Sequence, residues 1–425
     1  MSRAFSAPGK ALLAGGYLVL DPSYDAYVVA LSSRMHAIIQ LNQSESSTNI
    51  SMVKISSPQF REGEWEYRIE PSCYKPIETN SRINPFIEAT LLTILSYVQP
   101  AESFNLNITI YSDPGYHSQN NTTKRTCENH KKSFLFHNQR INDVPKTGLG
   151  SSAGLVSVLS AALLSHFEPG SEKSTDLLHN LVQVAHCLAQ KKIGSGFDVA
   201  AAIYGSIIYR RFEPSVINKV LNDLETNPAL FKDKVKQSWQ FKHEKCALPA
   251  SVRLIMGDIA GGSETPKMVT KILEWKKNNP AKGAEVYVKL NSANTRFMKA
   301  VMSANKQSLS ESPLGQTEME ELQNSILDMR QGLRELSIEA DVPVEPLEQT
   351  KLLDNVSSID GCLGGLVPGA GGYDAVAVLA LAQSVDKIKS ITEETPNQYN
   401  NVHWVDLHEE REGLREEDPM DYQGL

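Results

Sequence analysis

The residues best suited to chemistry in this chain lie at 145–154, which read Pro-Lys-Thr-Gly-Leu-Gly-Ser-Ser-Ala-Gly. Glycines let backbone amides approach a ligand because they carry no Cβ, and serines can cap a helix or offer hydroxyls to a phosphate or a metal. The apolar run from Leu155 to Phe167 follows at once and predicts a buried helix, whose N-terminus would add partial positive charge at the same point. The segment therefore predicts a phosphate-binding loop.

Several interpretations compete for this loop. A Walker A loop needs a lysine directly after its last glycine, but Ser151 follows Gly150 and Lys146 precedes the glycines. A dinucleotide fingerprint needs Gly-x-Gly-x-x-Gly after a strand, but Gly148, Gly150 and Gly154 are spaced by one residue too many. A third interpretation is a kinase motif of the form Pro-x-x-x-Gly-Leu-Gly-Ser-Ser-Ala, and a fourth is a glycine- and serine-rich turn that only precedes a buried helix.

Three glycine-rich segments together favour the kinase motif. The loop resembles the signature of the GHMP small-molecule kinases, and residues 7–21 and 368–375 resemble the first and third motifs of that family. All three occur in the family's order and span almost the whole chain. By this resemblance the chain is identified as a member of the GHMP kinases, which implies ATP and Mg²⁺ as cofactors.

Further segments narrow the resemblance within the family. Residues 84–88, 116–119, 190–202 and 256–258 resemble the fungal members that phosphorylate phosphomevalonate to diphosphomevalonate, in the mevalonate pathway of isoprenoid and sterol biosynthesis. The His-Gly-x-Pro-Ser-Gly-x-Asp pattern usual in mevalonate kinases is absent around Asp198. Two alternatives stay open: another member, such as a mevalonate kinase or a diphosphomevalonate decarboxylase, and a ligand sensor on this fold that lacks turnover.

The resemblance also implies roles for three side chains. Lys10 would face the transferred phosphoryl group and pair with Asp198, and the Ser152 hydroxyl would meet Mg²⁺; the presence of all three favours an enzyme over a sensor. The role of Asp198 depends on the acceptor, because an alcohol needs a base to take its proton. A phosphate monoester has a second pKa of about 6 and is already mostly dianionic at neutral pH, so Asp198 would then only hold Lys10.

Two sets of ligand-binding residues follow. The resemblance places the ATP phosphates on the loop residues Lys146, Thr147, Gly148, Leu149, Gly150, Ser151, Ser152, Ala153 and Gly154. Candidates for the carboxylate and phosphate of the acceptor are Tyr17, His117, Ser118, Arg211, Ser263, Gly369, Ala370, Gly371 and Gly372. The glycine turn is the best supported of these, because its amides can face an anion.

The expected metal site has few acidic ligands. Many GHMP kinases carry a glutamate on the helix before the catalytic aspartate, but residues 185–190 contain no acid. Ser152, ATP oxygens and water would then hold Mg²⁺, which keeps its waters readily, and Gln190 is a weak candidate for a water-mediated contact. His186 is interpreted as a packed or surface residue, because a lone histidine lacks partner ligands.

Composition bounds the class of protein. The 425 residues exceed what one hydrophobic core usually serves, and 41% hydrophobic with 22% charged residues is typical of a globular protein. The net charge of −8 argues against nucleic-acid binding, no apolar run is long enough to span a membrane, and the start predicts no signal peptide. Five scattered cysteines indicate reduced thiols. We expect a cytoplasmic enzyme that acts on small-molecule substrates and is either a monomer or a weak homodimer.

The pattern of elements predicts an α+β protein. The resemblance implies the two-domain GHMP kinase fold, with a ribosomal S5 domain 2-like N-terminal domain at 1–212 and a ferredoxin-like C-terminal domain at 249–425. Residues 213–248 are charged and predict an irregular linker or insertion, residues 112–140 predict a long loop, and the acidic tail from Glu409 is expected to be solvated. Helices are predicted at 84–97, 152–167, 176–190, 198–204, 265–276, 283–305 and 314–340.

Overall fold

The computed structural model describes residues 2–41, 50–145, 147–259, 265–308 and 314–425. Lys146 and Ser263, two of the predicted ligand-binding residues, lie outside these ranges. The helices are α1 Pro85–Val98, α2 Ser151–Phe167, α3 Thr175–Gln190, α4 Phe197–Tyr204, α5 Pro214–Thr226, α6 Pro228–Val235, α7 Thr265–Asn278, α8 Pro280–Ser308, α9 Gln316–Ala340, α10 Leu347–Ser357 and α11 Val385–Glu394. These confirm the predicted helices to within a few residues at their ends.

The strands form one large sheet, a smaller sheet and a separate hairpin. They are β1 Ser2–Ala14, β2 Ala26–Leu41, β3 Ser51–Ser56, β4 Glu64–Ile69, β5 Pro76–Glu78, β6 Asn105–Ser112, β7 Thr122–Thr126, β8 Ser133–His137, β9 Ile207–Arg210, β10 Lys242–Lys245, β11 Val252–Asp258, β12 Cys362–Leu366, β13 Ala375–Leu381, β14 His403–Val405, β15 Glu409–Glu410 and β16 Arg415–Glu417. Helices and strands are largely segregated along the chain, so the α+β class is confirmed.

The large sheet holds the N-terminal half together. Its strand order is β10-β9-β2-β6-β3-β4-β5, with β1 on the other edge of β2. Helix α2 packs on β1 and β2, and α1, α3 and α4 complete the helical layer. Because α2 is apolar nearly all round, almost every residue after its first turn is buried, as its sequence predicts. The layer holds the N-termini of α2 and α4 close to β1.

Two segments predicted to be irregular are ordered. Residues 213–248 form α5, α6 and β10, and β10 pairs with β9, so most of the expected linker extends the N-terminal sheet. A proline at the first position starts each helix, and the Asn227 side chain caps α6 by accepting from the amide of Leu230. Residues 112–140 contain the hairpin β7–β8 rather than one long loop. Buried Phe134, which stacks on Tyr111 at 4.9 Å, fixes this hairpin to the sheet.

The C-terminal half is an antiparallel sheet whose strands are connected by helices. Its strand order is β12-β13-β11-β14, with α7 to α10 between β11 and β12 and α11 between β13 and β14. Phe297 of α8 packs against Tyr27 of β2, with ring centroids 6.0 Å apart. Apolar residues of α8 and α9 belong to the same buried cluster as the N-terminal core. The two halves therefore share apolar packing near β1.

The acidic tail pairs with the N-terminal sheet, although several of its side chains, among them Glu412 and Glu416, are solvent-exposed as predicted. Strand β15 pairs with β2, and β16 pairs with β1. The buried Arg34 guanidinium donates to the carbonyls of Ser6 and Gly413 at 3.0 and 2.5 Å. A charge pattern alone cannot reveal this, because the tail's contribution comes from backbone pairing with strands far away in the sequence. The tail therefore holds the strand that carries Lys10 from its other edge.

Candidate active site

A cavity of about 280 Å³ lies where the three glycine-rich segments meet. It is bounded by β1 and the turn after it, by the loop Thr147–Ala153 (the phosphate loop), by the starts of α4 and α7, and by the turn Pro368–Gly372 (the C-terminal turn). Its lining includes Lys10, Leu12, Tyr17, Thr147, Gly148, Leu149, Ser195, Phe197, Thr265, Gly369, Ala370, Gly371 and Asp374. Predicted residues from all three motifs are thus brought to one place.

The phosphate loop presents unpaired backbone amides at the start of a helix. Gly148 and Gly150 have left-handed φ values of 75° and 84°, which favour glycine. Gly150 is the N-cap of α2 and no side chain caps the helix, so the predicted serine cap is wrong. In the described part of the chain, the amides from Gly148 to Ala153 donate to no other protein group. Such amides at the positive end of a 17-residue helix form a site for an anion.

The segment before α2 is held from behind by residues 115–118. The Thr147 hydroxyl donates to the carbonyl of Gly115 at 2.5 Å, and the Ser118 amide donates to the carbonyl of Pro145 at 2.9 Å. His117 is buried and its ring lies 5.0 Å from that of Phe60. Among the described residues, neither His117 nor Ser118 lines the 280 Å³ cavity. Ser118 supports the segment before the phosphate loop through its amide, and His117 packs against Phe60.

Lys10 lies within strand β1, not in a turn, and its side chain is directed at the phosphate loop. A register shift between Pro8 and Gly9 immediately precedes it, and such bulges re-aim side chains. Its ammonium donates to the carbonyl of Gly148 at 2.8 Å, and its amide donates to that of Leu149 at 3.1 Å. Burial lowers the pKa of the Lys10 ammonium below its ordinary range, and the negative charge of Asp198 partly offsets this effect.

Asp198 lies in the first turn of α4, as expected. Its Oδ1 accepts from the amide of Val199 at 3.0 Å. The predicted pairing of Lys10 with Asp198 acts through space: the negative charge of Asp198 favours the charged form of Lys10 and so opposes the lowering of its pKa, while the ammonium donates its hydrogen bond to the carbonyl of Gly148. A Cβ on Gly150 would lie 3.2 Å from Lys10 Cε and 3.9 Å from Asp198 Cβ. The two charges therefore face the same narrow space beside Gly150.

The Ser152 hydroxyl has a partner that sequence reasoning missed. Ser152 Oγ lies 3.0 Å from His186 Nε2, and the same nitrogen lies 3.1 Å from Gln190 Nε2 and 3.9 Å from Asp198 Oδ2. His186 is 4% exposed, which agrees with the predicted packed residue, but it contacts the expected metal ligand directly. Burial lowers the pKa of His186 below its usual value, so the ring is neutral at pH 7. The spacing His186–Gln190, one helical turn, is the only sequence signal for this arrangement.

The C-terminal turn uses its amides on the protein itself. The amides of Gly369, Gly371 and Gly372 donate to the carbonyls of Leu12, Pro368 and Val344. The prediction that these glycine amides face an anion is therefore wrong for this structure: they fix the turn to β1 and to the segment after α9. The turn presents backbone to the cavity, and Asp374, a residue absent from the predicted set, lines the cavity just after the turn.

Tyr17 and Arg211 support the cavity in different ways. Tyr17 is 3% exposed with a φ of 63°, and its hydroxyl donates to the carbonyl of Ala370 at 2.5 Å. It therefore lines the cavity as predicted, with its hydroxyl already engaged. The Arg211 guanidinium donates to the carbonyls of Leu20 and Gly194, both at 2.9 Å. It lines a separate cavity behind this one, so it positions two wall segments rather than facing the site.

The family model for the GHMP kinases N terminal domain matches residues 121–206. A solved structure of Streptococcus pneumoniae phosphomevalonate kinase in complex with phosphomevalonate and AMPPNP is similar with a TM-score of 0.63, at 17% identity, over 96% of this chain and 99% of that one. Together with three glycine-rich motifs around one cavity, these matches define a GHMP kinase fold.

Proteins that align with most or all of this chain identify its family within the GHMP kinases. The phosphomevalonate kinase of Candida albicans is 54% identical over 100% of both chains. That of Gibberella zeae is 38% identical over 88% of this chain and 87% of its own length. This chain belongs to the phosphomevalonate kinase family. In the described residues no helix has the length and apolar character needed to cross a membrane.

Proposed function

We propose that this chain transfers the γ-phosphoryl group of ATP to phosphomevalonate, giving ADP and diphosphomevalonate, as one step of the mevalonate pathway. A phosphate oxygen of the acceptor forms the new P–O bond while the bond from the γ-phosphorus to the bridging β–γ oxygen breaks. One observation carries this proposal: the Lys10 ammonium lies on the carbonyl of Gly148, at the junction of the unpaired amides and the cavity. A cation there can neutralise charge on the transferred group.

The donor site is the phosphate loop. Its amides from Gly148 to Ala153 would bind the ATP phosphates, with the α2 N-terminus adding favourable charge. Oxygen ligands suit Mg²⁺, and Ser152 with Asp198 provides a hydroxyl and a carboxylate near the same histidine. The described residues contain no cluster of three acidic, histidine or cysteine side chains, which fits a cation held largely by phosphates and water. When bound, Mg²⁺ would offset charge on the transferring phosphates.

Lys10 would act directly on the transferred phosphoryl group, and Asp198 would act through Lys10. The acceptor phosphate is mostly dianionic at neutral pH, so no base is required to activate it. The harder problem is to bring two anions together, and Lys10 is the cation that faces both parts of the site. Asp198 stabilises the charged form of Lys10 through space rather than by direct contact. We therefore assign Lys10 to charge neutralisation and Asp198 to keeping that lysine protonated and directed inward.

The acceptor would occupy the 280 Å³ cavity between Tyr17 and the C-terminal turn. With the amides of Gly369, Gly371 and Gly372 already engaged, the polar residues left on its walls include Thr265 and Asp374. Asp374 suits a hydroxyl of the acceptor better than its carboxylate or phosphate, because like charges repel. Ser263 and Lys146 stay predictions for acceptor and donor contacts.

The folds of the two domains, the domain boundaries, the cellular location, the oligomeric state and the partners are proposals as well. The order β12-β13-β11-β14 in an antiparallel β-helix-β-β-helix-β arrangement supports a ferredoxin-like C-terminal half, and we retain a ribosomal S5 domain 2-like description for the N-terminal half. The pairing of β10 with β9 favours an N-terminal half that continues past the predicted boundary at 212. The boundary at 249, a cytoplasmic location, a monomer or weak homodimer, and no nucleic-acid or membrane partner stay predictions.

The test is a comparison of acceptors. The enzyme is incubated with ATP, Mg²⁺ and, separately, phosphomevalonate, mevalonate or diphosphomevalonate, while ADP release is followed and products are identified by mass spectrometry. We expect diphosphomevalonate from phosphomevalonate only. Turnover of mevalonate, or phosphate and CO₂ release from diphosphomevalonate, would identify one of the other family activities, and nucleotide binding without ADP release would identify a sensor.

A further inference from the structure

His186 of α3 lies directly behind the serine that opens the donor site. Its Nε2 is 3.0 Å from Ser152 Oγ and 3.1 Å from Gln190 Nε2. The ring is 4% exposed and lies 5.8 Å from the ring of Phe86. Burial and two polar neighbours at one nitrogen fix the imidazole in place. Residues 185–190 contain no carboxylate, so His186 and Gln190 supply the side-chain polar groups that this part of α3 turns toward Ser152.

The hydrogen-bond pattern assigns a direction to each contact. The Gln190 amide nitrogen faces Nε2 and can only donate, so Nε2 carries no proton and accepts. The Ser152 hydroxyl then donates its single proton to the same nitrogen, and the two donors share the one lone pair of Nε2. Once that proton points at His186, both lone pairs of Ser152 Oγ are directed away from the ring. A hydroxyl oriented in this way is ready to act as a ligand rather than as a donor.

We propose that His186 is a positioning residue for the metal-bound nucleotide: it holds the Ser152 hydroxyl so that the oxygen lone pairs face the cation carried by the ATP phosphates. This inference rests on the proposed function, because it assumes that the phosphate loop binds a nucleotide with Mg²⁺. It adds that Ser152 alone is not sufficient, and that the buried imidazole sets its orientation. Partners that orient a metal ligand typically change metal affinity by about 10- to 100-fold when removed.

The measurement is the affinity for ADP with and without Mg²⁺, by isothermal titration calorimetry of the full chain. The ratio of the two dissociation constants gives the benefit that Mg²⁺ confers, without any turnover. In His186→Met, which fills a similar volume but offers no strong acceptor, we expect this ratio to fall about tenfold or more. Metal-free ADP binding should change by less than about twofold, because the backbone amides are untouched. The KM for Mg²⁺ should rise with little change in the KM for the acceptor.

Substitutions of matched shape separate orientation from packing. In His186→Gln the amide oxygen reaches the position of Nε2 and can still accept from Ser152, so the Mg²⁺ benefit should be mostly retained. In His186→Asn the shorter amide matches Nδ1 instead, and the benefit should be lost as in His186→Met. The control is His36→Met: His36 is also buried and bonded through both ring nitrogens, to Tyr422 and Asp113, so its loss should lower stability without changing the Mg²⁺ ratio.

The outcomes are distinct. If His186→Met keeps the wild-type ratio, or if His186→Gln loses as much as His186→Met, the histidine only fills space and the proposal is overturned. If His186→Met does not fold, the comparison of His186→Gln with His186→Asn takes its place. Equal Mg²⁺ ratios in these two variants would overturn the proposal. If Mg²⁺ gives no benefit to ADP binding even in the wild-type protein, the donor site itself is wrongly assigned, and it is the proposed function that fails.

Discussion

Two glycine-rich segments border the cavity and use their backbones in opposite ways. The phosphate loop leaves its amides from Gly148 to Ala153 without protein acceptors in the described chain, at the start of a long helix. The C-terminal turn directs the amides of Gly369, Gly371 and Gly372 to carbonyls of the protein. Both segments look alike in sequence, yet only the first is prepared for an anion.

The difference shows what glycine is needed for in each place. In the phosphate loop, a Cβ at Gly150 would push on Lys10, so glycine protects the approach of a charged side chain. In the C-terminal turn, a Cβ at Gly371 would lie 2.0 Å from the carbonyl of Val344, so glycine permits close backbone packing. In the proposed function, the first segment would bind the phosphates and the second would shape the wall of the acceptor cavity.

Removing the charge beside the phosphate loop should have the largest effect. We expect Lys10→Met to lower kcat by about 1000-fold, because a preorganised cation at the transferred phosphoryl typically contributes that much or more. Steady-state kinetics with phosphomevalonate measures this. Mg²⁺–ADP affinity, checked by calorimetry, should change far less, since the loop amides remain. A kcat within tenfold of the wild type would remove Lys10 from the chemistry.

The pH dependence tests the same ammonium. Burial lowers its pKa below the ordinary lysine value, and the protonated form is the active one. Activity should therefore be full below that lowered pKa and fall about tenfold per pH unit above it. The alkaline limb of kcat/KM against pH, which reports the ligand-free enzyme, should begin below the usual range for lysine. Asp198→Asn should move this limb to still lower pH because the offsetting negative charge is gone. An unmoved limb would contradict the proposed link between Asp198 and Lys10.

A single methyl group in the phosphate loop should be the next most damaging change. Gly150→Ala places a Cβ 3.2 Å from Lys10 Cε at a φ of 84°, and a misplacement of about 1 Å at a reacting group can cost about 100-fold. We expect kcat to fall roughly 10- to 100-fold, with a stability loss of about 1–2 kcal/mol from the left-handed conformation. Chemical denaturation and kinetics measure the two effects.

The matched control is Gly170→Ala, before α3. Gly170 also has a positive φ, of 102°, but a Cβ there meets nothing within 4 Å. Gly170→Ala should lose about as much free energy of unfolding as Gly150→Ala, while its kcat stays near the wild-type value. If both variants lose activity equally, backbone strain rather than crowding of Lys10 explains the effect.

The sequence predicts the phosphate loop far better than it predicts its counterpart. Loop, helix and catalytic side chains follow from local spacing, and α2 and α4 begin within one residue of their predicted starts. The Gly372 amide donates to the carbonyl of Val344, which lies far away in the sequence. No local sequence pattern reveals that this amide already has a protein acceptor. The same holds for His186: its burial is predictable, but its contact with Ser152 depends on how α2 and α3 pack.

Crowding the C-terminal turn should damage acceptor binding while sparing the nucleotide. Gly371→Ala drives a Cβ into the carbonyl of Val344, which also accepts from Gly372. The strain of the positive φ and the lost hydrogen bond together should cost about 2–3 kcal/mol of stability. We expect the KM for phosphomevalonate to rise about tenfold, with Mg²⁺–ADP affinity unchanged. A parallel loss of ADP affinity would mean that the two segments do not act separately.

The smallest predicted effect concerns the contact between the first motif and the C-terminal turn. Tyr17 donates its buried hydroxyl to the carbonyl of Ala370 at 2.5 Å, and burial raises the pKa of this phenol, so it stays a neutral donor throughout the working pH range. Tyr17→Phe keeps the ring packing but leaves that acceptor unpaired, which typically costs about 1–2 kcal/mol.

Because the turn keeps its own amide bonds to Leu12 and Val344, it should move little in Tyr17→Phe, and kcat should stay within about twofold. Denaturation and kinetics on the same preparation separate the two readouts. A large fall in kcat with unchanged stability would instead assign the Tyr17 hydroxyl to the acceptor, and the turn would then be a binding element after all rather than a wall.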